Sequence, residues 1–321
     1  MRTTFFTFLF ASAFVLSTLQ PQTAQAQTGL DFLNIGPNAH SLSVSEAHTA
    51  VPLGSNSLFS NPANLMLSDQ SSLGLSYTLW IGDTQNTQAS AAIRRENDSF
   101  AFGVLSSVID EFEQRDTPGQ SGGTFSVQYL ALSGAYARQV SFISAGVSAS
   151  YLYEQLFQQN ASGFAFSFGA TAELLDERLR IGTALTNTGQ MSRLDVERTK
   201  VPTRWRAGFD VNAVQISAFS GAEIPVVINL SGDVIVPLEN EIDTTIDNAI
   251  ESDTFFAFGL QAELYEMIGV RGGYRTGNTV RHWSMGASIN VEPIRFHYAF
   301  VPFETGFGSV HSISLQYFFN L

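Results

Sequence analysis

The chain has 321 residues, with 16 Lys and Arg against 29 Asp and Glu, for a formal net charge of -13. Charged residues are only 14% of it, while Phe and Gly number 27 and 26 and Cys is absent; a soluble domain of average composition is about 25% charged. The apolar and aromatic content excludes a disordered chain, and the acidity excludes nucleic-acid binding by bulk electrostatics. Without thiols there is no catalytic Cys, disulfide framework, Fe–S site or lipoprotein anchor.

In chain order, Met1-Arg2, the mostly apolar Phe5–Leu19 and the small-x-small Ala24-Gln25-Ala26 read as a secretory signal peptide over residues 1–26. No later run of 18 apolar residues could form a membrane-spanning helix. Residues 27–71 have helical and turn character, with many small residues and the turn Asn61-Pro62-Ala63-Asn64-Leu65. From residue 72 to 321 the period is two. The spacing predicts fourteen strands, at about 73–80, 86–94, 98–109, 124–137, 141–154, 162–174, 178–188, 202–212, 225–237, 253–264, 267–276, 280–290, 293–303 and 310–320.

Apolar faces recur along these strands. Ile313, Leu315, Tyr317 and Phe319 oppose Ser312, Ser314, Gln316 and Asn320, with Phe318 the exception. Trp205, Ala207, Phe209 and Val211 oppose Arg204, Arg206, Asp210 and Asn212. Connections after even-numbered strands are tight, such as Arg95–Asn97, Arg138–Val140, Leu175–Glu177, Tyr265-Glu266 and Val291-Glu292. Those after strands 3, 7 and 9 are long and polar: Asp110–Gly123, Gly189–Val201 and Leu238–Ser252. Such alternation fits an antiparallel transmembrane β-barrel of the bacterial outer membrane, with short periplasmic turns, long outer loops and lipid against its apolar face. Ala213–Ile224 is too long for a periplasmic turn, which points to a bulge or a continuing strand there. A soluble sandwich or propeller also alternates, but it would not carry Phe and Tyr on nearly every strand, and no fixed repeat is present.

Several segments resemble the PorV/PorQ family of outer-membrane barrels and, more distantly, the long-chain fatty acid transporter family. They are Asn61–Leu65, Arg271-Gly272-Gly273-Tyr274-Arg275, His297-Tyr298-Ala299-Phe300-Val301-Pro302-Phe303 and Gly308–Leu315, in an order and spacing that spans about Leu30 to Leu321. The resemblance implies a barrel with a short N-terminal plug or hatch, residues 27–71. Asn61, Pro62, Ala63, Asn64 and Leu65 would then form a movable hatch lining a hydrophobic pocket. The PorV branch implies a type IX secretion component, with the translocon and cargo C-terminal domains as partners. The fatty-acid-transporter likeness implies passive uptake of hydrophobic small molecules. A mainly structural barrel is a third reading.

Nothing in the sequence forms a catalytic or cofactor motif. His40, His48, His282, His297 and His311 lack zinc-ligand spacing, and neither a G-x-S-x-G elbow nor a P-loop occurs. The acidic stretch Glu239, Glu241, Asp243, Asp247, Glu251 and Asp253 lacks calcium-loop spacing and reads as a solvated outer loop. Inward positions carry Arg204, Arg206, Asp210, Asn229, Asp233, Glu263, Arg271, Arg275 and Arg295. Their mixed signs suit an ion-pair network that bolts the plug inside the barrel better than a passage selective for one ion.

Overall fold

A computed structural model describes residues 30–114, 123–194, 197–216, 225–238, 254–277, 280–304 and 306–320. The expected signal peptide and the acidic stretch 239–253 lie outside the described residues. Fourteen strands form one closed antiparallel barrel. They are β1 (Ser71–Leu79), β2 (Gln85–Arg94), β3 (Asp98–Gln114), β4 (Gly123–Val140), β5 (Ile143–Leu156), β6 (Gln159–Leu174) and β7 (Leu179–Met191). The second half comprises β8 (Arg204–Ile216), β9 (Val226–Pro237), β10 (Phe255–Leu264), β11 (Ile268–Arg275), β12 (Trp283–Val291), β13 (Ile294–Pro302) and β14 (Ser309–Phe319). Each strand pairs with its sequence neighbours, and β1 closes the ring on β14 from Ser71↔Phe319 to Leu79↔His311.

The fourteen expected strands all form, with differences at their ends. The turn expected at Arg138–Val140 lies instead at Ser141-Phe142, because β4 runs on to Val140. The connection that looked too long after the eighth strand is partly strand: β8 continues to Ile216 through a register shift between Asn212 and Val214. Strand β3 likewise shifts register between Ile109 and Phe112 and reaches Gln114. Met191 extends β7 into the expected loop, where Arg193–Leu194 then pairs with Glu197–Arg198.

Alternation sorts the side chains. Phe102, Phe164, Phe166, Phe168, Phe256, Phe258, Leu260 and Phe296 all stand exposed on the outer face. Serines, alanines, glycines and the polar residues named above face inward. Closure pairs the strands on both sides along most of their length, so this apolar exterior can face hydrocarbon. Among the described residues, no helix is long and apolar enough to cross a membrane; the strands do so.

Leu260 sits mid-strand on the outer face, 51% exposed. Leu260→Arg is expected to destabilise the barrel in lipid vesicles by about 2–4 kcal/mol, read from denaturant unfolding. An unchanged midpoint would mean that this face does not meet lipid.

Candidate functional site

Residues 30–70 fill the barrel. The segment is cut into short pieces by Pro37, Pro52 and Pro62, which stop or start helices. Helical turns cover Asp31–Asn34, Ala39–Ser43, Gly54–Phe59 and Pro62–Met66. Asn38 caps the second of these, its Oδ1 accepting from the Ser41 N–H at 2.9 Å. The segment begins near the outer mouth, where Leu30 and Phe32 pack with Met191 and Val201, and descends to β1 at the periplasmic end.

The Asn61–Leu65 motif forms the start of the last helical turn, with Asn61 as its cap and Pro62 at its first position. Its two asparagines are fully buried, and each holds another part of the segment. Asn61 Nδ2 donates to the Thr49 carbonyl (2.8 Å) and to Thr171 Oγ1 of β6 (3.0 Å). Asn64 Nδ2 donates to the carbonyls of Thr49 (3.0 Å) and Val51 (3.1 Å), while its Oδ1 accepts from Thr171 Oγ1 (2.6 Å). Ala63 and Leu65 are buried beside Pro62. The wall is cut back to receive this turn. A Cβ at Gly146 would lie 2.5 Å from Pro62 C and Ala63 N, and one at Gly182 would lie 2.6 Å from the Thr49 carbonyl oxygen. The motif is therefore docked tightly against β5, β6 and β7.

Charge makes the second attachment. Residues 32–68 contain no Lys or Arg and a single acid, Glu46. Asp233 Oδ2 accepts from the N–H groups of His48 (3.1 Å) and Thr49 (3.0 Å), from Thr49 Oγ1 (2.6 Å) and from Arg206 Nη2 (2.9 Å). Arg206 also reaches Thr49 Oγ1, His48 Nε2 and the Glu46 carbonyl. The Glu46 carboxylate accepts from Arg281 (2.9 Å), Gly36 N–H (3.2 Å) and Arg275 (3.4 Å). The Arg275 guanidinium lies 3.4 Å from the Phe255 ring centroid, and Arg204 donates to the Asn34 carbonyl at 3.4 Å. Burial pushes the Glu46 carboxyl up, but Arg281, Arg275, Arg204 and Arg206 more than reverse this and hold it far below the usual carboxylate range. Burial, and then nearby arginines, depress His40 and His48 well below 6.5, so both are neutral.

The remaining inward residues sit nearer the periplasmic end. Arg271 pairs with Glu263 (3.7 Å) and donates to Gln261 (2.6 Å) and His297 Nδ1 (3.2 Å). Asp210 pairs with Arg180 (3.3 Å), which also meets Glu173. Among the described residues Arg295 has no ion-pair partner; its guanidinium lies 4.5 Å from the Phe318 ring centroid. With Asn229 and His40, these groups line a polar cavity of about 680 Å³ beneath the hatch. Among the described residues, no group of three or more His, Asp or Glu is placed to hold a metal ion. Glu46, His48, Thr49, Thr171, Arg180 and Arg281 were not among the expected network residues. Glu46 alone had a signal, as the lone interior acid of a segment without cations.

The outer mouth is apolar. Leu30 and Phe32 pack among Ala131, Leu152, Ala161, Ala165, Met191 and Val201, with the Phe32 ring stacked on Tyr129 at 5.5 Å. The barrel wall is incomplete beside this cluster. Strand β8 begins at Arg204, opposite Thr186, so Thr188–Met191 of β7 have β6 as partner but not β8. A cavity of about 340 Å³ occupies the interval, lined by Gly189, Met191, Arg198, Lys200, Val201 and Leu238 among others. Thr199 crosses it to donate to Glu154 Oε2 at 2.6 Å.

No family model matches this sequence, and no curated protein matches it. Solved structures do. The CymD monoaromatic hydrocarbon channel superposes with a TM-score of 0.60 at 13% identity, over 89% of this chain and 98% of that one. The toluene transporter TodX of P. putida gives 0.59 at 12% identity, over 89% and 99%. At such identities the likeness is one of fold, and the fold agrees with the closed apolar-faced ring described above. This chain is an outer-membrane β-barrel.

Asn64→Ala removes three hydrogen bonds to buried groups. Hydrogen exchange across residues 45–66 is expected to accelerate by roughly 5- to 150-fold, the equivalent of about 1–3 kcal/mol; unchanged exchange would mean that the asparagine does not hold the hatch. Docking also depends on pH. An undocked segment regains ordinary values near 6.5 for His and 4.5 for Glu, so it binds more protons than the docked one below those values. Docking is strongest above pH 6.5 and weakens as pH falls, first through the two histidines and below 4.5 through Glu46. Limited proteolysis within residues 30–70 at pH 4.5 and 6.5 checks this; cleavage that slows on acidification, after correction for protease activity, contradicts it.

Proposed function

We propose that this chain is a passive, non-enzymatic transporter of hydrophobic small molecules across the outer membrane. The observation that carries the reading is the apolar cluster at the outer mouth, which abuts the interval where β7 loses β8 as its partner; Met191 and Val201 belong to both. Below that point the hatch and its buried charges stand in the way. An apolar solute gains nothing by displacing hydrogen-bonded charges, whereas moving sideways into lipid keeps it in an apolar medium. The names of the superposed structures, a monoaromatic hydrocarbon channel and a toluene transporter, support the same class of cargo.

A second reading, as a type IX secretion component engaging the translocon and cargo C-terminal domains, has the PorV/PorQ resemblance as its support. Recovery of translocon or cargo proteins with the solubilised barrel would support it.

Uptake of labelled toluene by vesicles carrying the folded barrel tests the transporter reading. Uptake is expected to exceed that of empty vesicles, and Val201→Arg to lower it by about tenfold or more by placing a charge in the apolar mouth. Uptake equal to that of empty vesicles would sink the reading.

A further inference from the structure

We propose that Asn86 and Gln88 of β2 form a hydrogen-bonding subsite for the polar group of an otherwise apolar, uncharged ligand. The inference rests on the transporter reading and narrows its substrate class to small compounds bearing a hydroxyl or carbonyl, such as phenols, alcohols and ketones.

The two side chains are two residues apart on β2 and face inward, and Gln88 is 3% exposed. All four of their amide atoms are buried without a hydrogen-bond partner among the described residues. Three neighbouring inward hydroxyls on β1 and β2 are engaged elsewhere: Thr78 with Ser312 (2.6 Å), Ser76 with Ser314 (2.8 Å), and Ser90 with Ser55 (2.8 Å) and Asn56 (2.9 Å). The hatch backbone that lines this side, Ile35–Pro37, offers no free donor. Ile35 N–H is committed to the Phe32 carbonyl and Gly36 N–H to Glu46, while Pro37 has none. Buried amides left without partners are costly, so a ligand that satisfies them is favoured over one that does not.

The surroundings set the chemistry. The cavity between these amides and Ile35–Pro37 has a volume of about 20 Å³. That is about the room one water needs, so it takes a single hydroxyl or carbonyl rather than a large head group. Neither Lys nor Arg lines it, so a carboxylate would be buried without a counter-charge, at high cost. Phe32 and Leu105 line the same cavity and also belong to, or pack on, the apolar cluster of the outer mouth. The Phe32 ring thus marks an aromatic-sized place against Tyr129 with the amides at its edge. A ligand ring that displaces Phe32 meets both an apolar wall and a hydrogen-bonding edge. Sites built to bond a hydroxyl reject the analogue that lacks it.

The test is calorimetric titration of the whole folded barrel in detergent with p-cresol, toluene and benzoate. In the wild type, p-cresol is expected to bind about tenfold or more tightly than toluene, with benzoate weakest. Asn86→Leu with Gln88→Leu is expected to erase that preference while leaving toluene binding unchanged. The volume-matched Gln88→Met serves if the double variant fails to fold, as judged by heat-modifiable gel mobility, and is expected to reduce the preference at least several-fold. Equal binding of p-cresol and toluene to the wild type overturns this inference and leaves the transporter reading standing. A preference that survives both variants assigns the amides to bound water and also overturns it. Binding of none of the three compounds, together with vesicle uptake at the empty-vesicle level, overturns both.

Discussion

Hydrocarbon cannot hydrogen-bond to a peptide group, and the rest of this structure depends on that constraint. It requires every strand to have a partner on each side within the membrane, and β14 meets β1 to complete the ring. Closure at fourteen strands has a second consequence. Side chains alone fill the interior of an eight-stranded barrel, and a wider ring leaves a lumen. Here residues 30–70 occupy it. The wall is cut back to glycine where the segment backbone comes closest, as at Gly146 beneath the Asn61–Leu65 turn.

Holding a polar segment in a lumen requires that its backbone and charges find partners there. The two sides divide the task. The hatch contributes carbonyls, N–H groups and the lone acid Glu46; the wall contributes Asp233, Arg204, Arg206 and Arg275, with Arg281 from an outer connection. Neither set is satisfied without the other, since a buried ion that loses its partner is far more costly than an intact pair is favourable. The clasp at Asp233 and the asparagine contacts with Thr171 therefore act as two attachments of one body, both passing through Thr49.

The outer half differs in kind. Its packing is apolar around Leu30 and Phe32, and the sheet is missing one pairing at the same height. A polar, charge-clasped lower lumen thus lies beneath an apolar mouth, and this contrast is what the proposed sideways route for apolar solutes rests on. The amides of Asn86 and Gln88, unpaired among the described residues, lie at the edge of that mouth, where the proposed subsite would read a single polar atom.

The strands were readable because lipid imposes one rule on each of them: an apolar residue at every second position, as in Phe256, Phe258 and Leu260. Turn order followed from the same pattern, and so did the inward direction of Arg206, Asp233 and Arg271. Their partners were not readable. Asp233 meets Thr49, nearly two hundred residues away in sequence, and no local pattern encodes a contact that depends on how far the ring curls before it closes. The pairing between β7 and β8 ends at Thr186, just short of Pro202, yet only the structure shows that β7 runs on to Met191 without β8 beside it. The sequence by itself determined which residues face lipid and which face the lumen, because that depends on parity along a strand. Only the tertiary structure decided which inward groups meet, which stay unpaired and where the wall opens, because these depend on strand register summed around the closed ring and on the segment folded inside it.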